Sequence, residues 1–255
     1  MNSTIASPLP GCRAVGPPSS AIWARVAGVE YLVPQTSPLA FQIAAKRPWR
    51  AGLCAAILDA TNPASGFLEI GAGFGYFSAL IAKSRPACRV QAIEDDPTLL
   101  RFAAANLVHF PNASLFAGRV SSKANGSNDG HATSPYSSLI ELIKEHRPEV
   151  VRIDTIGHED VVLESLDVRN LLQHNLSIFA TLRPRFWTDG GARFRGVIAE
   201  IESCGFSAFF MHEGHTMLAY TSDRLKIAEE SLTSWDDHLD LLIVRGRHLD
   251  ILRAG

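Results

Sequence analysis

The chain predicts an α/β fold in which a doubly wound, mostly parallel sheet carries a small N-terminal cap. Three observations predict it. Short apolar, β-branched runs alternate with stretches of helical length from residue 67 onward, and strands separated by helices imply right-handed crossovers and a sheet covered on both faces. A chain of 255 residues buries one substantial core and would crowd a second. A glycine-rich turn, Gly71-Ala72-Gly73-Phe74-Gly75, joins the first apolar run to the first helical stretch.

Residues 1–20 are rich in Pro, Ser and Gly, including Gly16-Pro17-Pro18-Ser19-Ser20. They bury too little apolar surface to offset their ordering entropy, and a mobile tail is expected. Residues 21–60 read as the cap, with a strand or hairpin over 22–33 and a helical stretch over 39–60 interrupted near Pro48. The main domain is expected over 61–250. Its strands are predicted at 67–70, 90–93, 113–117, 150–154, 176–181, 207–211 and 241–244, and its helices at 76–83, 97–109, 139–146, 158–172 and 192–204. Pro97 suits a first helical turn, where its missing N–H would be unpaired anyway. The polar stretch 121–138, with Asn125-Gly126 and Asp129-Gly130, is longer than connections in compact domains usually are. It is expected to close over the site.

Composition narrows the function classes. Hydrophobic residues make up 46% and charged residues 20%, as in soluble globular enzymes. The net charge of -2, from 24 basic and 26 acidic side chains, gives no basic footprint for duplex nucleic acid. Cys12, Cys54, Cys88 and Cys204 are scattered with no Cys-x-x-Cys pair, so neither a disulfide framework nor a zinc site is suggested. His212 and His215 lie three apart without a third ligand at convincing spacing, and no metal is expected. No apolar run approaches the roughly 18 residues of a membrane span, and the N-terminus lacks the pattern of a signal peptide. A cytoplasmic protein acting on a small molecule is the expectation.

The segment Glu69-Ile70-Gly71-Ala72-Gly73-Phe74-Gly75-Tyr76 lies between a predicted strand and a predicted helix, and Glu94 ends the next strand. In open α/β sheets ligands bind at such strand ends. Glycines let a ligand approach the backbone, and a carboxylate at position 94 can accept ribose hydroxyls. A dinucleotide fingerprint would need a third glycine where Tyr76 stands. The acid two residues before Gly71 would repel a pyrophosphate but attract the cationic amino group of S-adenosylmethionine.

At these residues the chain resembles the class I S-adenosylmethionine-dependent methyltransferases, Glu69 to Gly75 matching their first motif and Glu94 their second. A further stretch, Val151-Arg152-Ile153-Asp154-Thr155-Ile156-Gly157-His158-Glu159, resembles the FkbM-type members, which read as a strand followed by I-D-x-E-G-x-E. The resemblance runs from about residue 67 to 244. It implies a Rossmann-like sheet and transfer of a methyl group from S-adenosylmethionine to a hydroxyl of a sugar, polyketide or other small natural product. The cofactor contacts it implies are Glu69, Gly71, Ala72, Gly73, Gly75, Glu94, Asp95 and, after the third strand beside Gly118 and Arg119, Val120.

Two positions depart from the pattern. Ile156 stands where the family usually has glutamate, and Thr181 ends the fifth strand where an acid is common. Altered substrate choice, weakened activity and lost activity are all consistent with these changes. Asp154 and His158 are the catalytic candidates. Asp154 either orients the acceptor or sulfonium or caps the following helix. His158 is either a general base or an exposed residue of a first helical turn. Glu159 reads as a favourable charge at a helix N-terminus. Arg183, Arg185 and Trp187 either bind an acidic or sugar-like substrate or simply pack and solvate. Two rival functions stand beside methyl transfer: a non-catalytic methyltransferase-like binding protein, supported by Ile156 and Thr181, and a nucleotide-dependent oxidoreductase, disfavoured by Tyr76.

Overall fold

The computed structural model describes residues 21–44, 49–120, 139–166, 175–187, 189–212, 216–232 and 238–245. The expected tail at 1–20 and the expected closing loop at 121–138 lie outside the described residues, as does His215.

The chain opens with a two-stranded antiparallel hairpin, β1 (Ala21–Val26) and β2 (Val29–Pro34). Its turn residues Ala27 and Gly28 both take positive φ, 48° and 76°, which matches the right-handed twist of the strands. Two helices follow, α1 (Pro38–Ala44) and α2 (Ala51–Ala60), so the stretch 39–60 is helical on both sides of Pro48, with 45–48 outside the described residues.

The remaining strands build one eight-stranded sheet in the order β5-β4-β3-β6-β7-β10-β8-β9. Its parallel half comprises β3 (Gly66–Ile70), β4 (Arg89–Glu94), β5 (Ala113–Ala117), β6 (Val150–Ile153) and β7 (Ser177–Leu182). Helices α3 (Tyr76–Ser84), α4 (Pro97–Leu107), α5 (Leu139–His146) and α6 (Glu159–Glu164) connect these strands, and residues 167–172 of the longer helix expected over 158–172 lie outside the described residues. A short 3-10 turn spans Pro184–Phe186, and α7 (Ala192–Ser203) leads to β8 (Ser207–His212). Strand β9 (Thr216–Ala219) returns antiparallel to β8, α8 (Ser222–Ser231) follows, and β10 (Leu239–Val244) enters antiparallel between β7 and β8.

Strand alternation places the core on both faces. Leu68, Val151, Ile153, Ile178, Leu241 and Ile243 face a core shared with α5, α6 and α7. Phe67, Val150, Phe179 and Leu242 face the other core, which takes in α2, α3 and the β1–β2 hairpin. The period of two residues decides this partition. The hairpin is tied down by Asn106 of α4, whose amide donates to the Leu32 carbonyl at 2.9 Å and accepts from the Leu32 N–H at 2.7 Å. Among the described residues no helix is long and apolar enough to cross a membrane.

Sequence reading left out β9 and α8. The α8 sequence SDRLKIAEES presents Leu225 as its buried apolar residue, and Ile227 is exposed. A helix with so thin an apolar stripe carries little periodic signal. Its start is nonetheless marked, because Thr221 accepts a hydrogen bond from the Arg224 N–H at 3.1 Å.

Candidate functional site

A cleft of about 900 Å³ opens at the carboxyl ends of the parallel strands, where β4 and β6 leave β3 on opposite sides. This is the switch point at which open α/β sheets bind ligands, and the volume is in the range of small-molecule sites. Of the residues singled out from the sequence, Glu69, Gly71, Ala72, Gly73, Glu94, Asp95, Val120, Asp154 and His158 line it. Gly75 does not; it takes φ 81° as the residue before α3.

The glycine turn is dictated by crowding. Gly71 has φ 76°, and a Cβ there would stand 2.0 Å from the Asp154 carbonyl oxygen, a distance no side chain tolerates. The Asp154 N–H donates to the Ile70 carbonyl at 2.9 Å, so β3 and β6 stay paired to their last residue. At Gly73 the space beside the backbone is open.

Glu94 is buried at the end of β4. Its Oε2 accepts from the Gly73 N–H at 2.6 Å, and its Oε1 accepts from the N–H groups of Asp95 and Asp96 at 2.9 and 2.8 Å. Burial pushes this carboxyl up, and the three N–H donors oppose the shift. Asp96 caps α4 through the N–H groups of Thr98 and Leu99, and Asp95 pairs with Arg119. Val120, 3% exposed, forms apolar lining nearby.

Glu69 is turned toward the protein. Its Oε2 accepts from the Ser78 N–H at 3.0 Å and Oγ at 2.6 Å, and Arg152, its register partner on β6, lies 3.8 Å from Oε1. Ser78 is in the first turn of α3, whose free N–H groups favour an anion. Desolvation pushes the Glu69 carboxyl up to about 7 against the pull of Arg152 and Ser78.

The β6 end is a charge cluster. Fully buried Arg152 donates to Asp154 at 2.8 Å and lies over the Phe77 ring at 4.1 Å, a cation–π contact that offsets part of its desolvation. Asp154 also pairs with Arg183 and approaches Arg50 at 3.6 Å. Burial pushes the Asp154 carboxyl up, but Arg152, Arg183 and Arg50 outweigh it and hold the group below the usual carboxylate range. The helix-cap alternative is not what the structure adopts: α6 has no side-chain cap. Glu159, fully buried, accepts from the N–H of Gly157 at 2.8 Å and of Trp187 at 3.4 Å. Trp187 stacks on Phe194, so it packs and does not face a substrate. His158 is exposed on the cleft wall.

Sequence reasoning missed the cap's contribution. Arg50 donates to Thr181 at 3.0 Å and pairs with Asp240, which also accepts from the Thr181 hydroxyl at 2.9 Å. Asp240 is the register partner of Thr181 on β10, and neither residue lines the cleft. Trp49 lines the cleft edge-on to Tyr76 at 4.5 Å and tilted against Phe74 at 6.0 Å. Ile156 also lines the cleft, 54% exposed and in the left-handed region at φ 46°. For a β-branched residue that conformation is strained by about 1–3 kcal/mol.

Neither a protein-family model nor a curated protein sequence matches the chain. Solved structures do. The chain is similar to methyltransferase FkbM from Methylobacillus flagellatus, with 13% identity, 71% of this chain and 44% of that chain covered, and a TM-score of 0.50. It is also similar to precorrin-6y C5,15-methyltransferase from Geobacter metallireducens (16% identity, 77% and 86% covered, TM-score 0.47). A third is Aeropyrum pernix fibrillarin with natively bound S-adenosyl-L-methionine (15% identity, 92% and 85% covered, TM-score 0.44). The fold is accordingly Rossmann-like, with the mixed, mostly parallel sheet of class I methyltransferase structures.

Proposed function

We propose that the chain is an S-adenosylmethionine-dependent methyltransferase that modifies a hydroxyl of a small molecule. The observation that carries this reading is Glu94, fixed by three backbone N–H groups at the floor of an open cleft beside the glycine turn. An ionised carboxylate accepts about four hydrogen bonds, so a ribose hydroxyl still finds an acceptor there. Buried Val120 offers an apolar surface to an adenine ring, and the side-chain-free Gly73 lets the donor approach the backbone. A cationic amino group near Glu69 would draw that carboxyl toward its ionised form.

Bound there, S-adenosylmethionine supplies an electrophilic methyl group on a sulfonium. The chain's own residues then align the acceptor and keep water out. In this reading His158 takes the acceptor's proton, which its exposure on the cleft wall supports. Asp154, held ionised among three arginines, retains little basicity; it positions Arg183 and the β6–α6 turn.

Calorimetric titration with S-adenosylhomocysteine tests the reading. The wild-type chain is expected to bind it, and Glu94→Ala to weaken that binding about a hundredfold, the worth of one strong hydrogen bond to a charged group. Equal affinity in the two chains would remove the reading's support.

A further inference from the structure

Resting on that reading, we infer that the acceptor presents a hydrocarbon, ring-bearing surface to Ile156 and carries a lone hydroxyl near Thr155. The β6–α6 turn aims Ile156 at the cleft. Ile156 and Gly157 take consecutive positive φ values, 46° and 88°. A Cβ on Gly157 would stand 2.5 Å from the Phe186 Cβ, so the turn is pressed onto the segment after β7 and has no room to relax inward. The isoleucine is therefore strained and more than half exposed, so most of its apolar surface is left uncovered by the chain itself. An apolar group lying against it would supply the missing burial.

The charges around the cleft favour the same partner class. Among the described residues, each arginine that lines the cleft faces a carboxylate: Arg119 with Asp95, Arg152 with Asp154, and Arg183 with Asp154. The charges of buried Arg152 and Arg183 are thus largely balanced within the chain, which weakens the pull of the cleft on an acidic acceptor. Trp49, Phe74 and Tyr76 add an aromatic wall to the same cleft. The Thr155 hydroxyl, next to Ile156, is buried at the cleft without a hydrogen-bond partner among the described residues. A mostly apolar wall with a few fixed polar atoms orients a hydrophobic ligand that bears a hydroxyl.

The test uses the full chain saturated with S-adenosylhomocysteine and titrated with 2-naphthol or methyl glucoside. Naphthol is expected to bind at least about tenfold more tightly than the glucoside, and Ile156→Glu to lower naphthol affinity about tenfold or more, as loss of an apolar contact predicts. Ile156→Gly guards against misfolding. It should weaken naphthol too, yet raise the melting temperature, because glycine takes the left-handed backbone without strain. Glucoside binding as tight as naphthol binding, or unchanged naphthol affinity in both variants, overturns the inference. Failure of the wild-type chain to bind S-adenosylhomocysteine would instead overturn the methyl-transfer reading, and naphthol titrated alone would still report on Ile156.

Discussion

Gly71 shows how a single position fixes the cleft. Its left-handed backbone and the Asp154 carbonyl 2.0 Å from a would-be Cβ leave no room for a side chain. Gly71→Ala is expected to cost about 3 kcal/mol or more in urea unfolding, from strain and from parting β3 and β6. Gly73→Ala, with open space at that position, adds backbone strain without the clash and should cost less; equal losses would mean that crowding is not the reason for Gly71. The glycines and Glu94 were legible in the sequence because one strand-turn-helix-strand unit holds them at fixed spacing. Arg152 was not, since its partners Glu69 and Phe77 come from another strand and a helix. Nor was Asp240, whose link to Thr181 follows from strand pairing alone.

Among elements, the decisive connection is between the cap and the sheet. Arg50, just before α2, reaches Thr181 on β7, Asp240 on β10 and Asp154 after β6. Removing one member of a buried ionic cluster strands the others, at a cost of about 3–5 kcal/mol. Arg50→Ala is expected to lose stability on that scale. It should also weaken S-adenosylhomocysteine binding, because Trp49 on the cleft wall is the neighbouring residue; intact affinity would show that the cap covers the cleft without shaping it. The strands and helices of the parallel half were readable because short apolar runs, buried on both faces, alternate with stretches of helical length. The β9–α8 excursion escaped because its elements are short or largely exposed, leaving the hydrophobic pattern little to report.

For the whole molecule, the buried carboxylates set an opposing pair of pH responses. Asp154 has a folded pKa below its unfolded value of about 3.9. Its contribution is complete above that value and is lost as pH falls through the folded pKa. Glu69 behaves in the opposite sense, with a folded value of about 7 against about 4.3 unfolded. The folded chain therefore holds its proton more tightly. The resulting penalty is absent below the unfolded value and fully present above the folded one. Glu94 and Glu159 shift in the same direction. The melting temperature should rise between about pH 8 and pH 5 and then fall in stronger acid. Glu69→Gln should flatten the first limb in part and leave the second, which calorimetric unfolding at constant ionic strength would reveal. The order of synthesis adds a constraint of its own. Because β10 inserts between β7 and β8, a nascent chain can assemble β3 to β7 while those two flanking edges wait unpaired for residues near 240. Until then Arg50 lacks its Asp240 anchor, and the open edges invite pairing with other chains. Slowing translation just ahead of β10 should therefore favour aggregation, and an unchanged aggregated fraction would show that these edges are not the hazard.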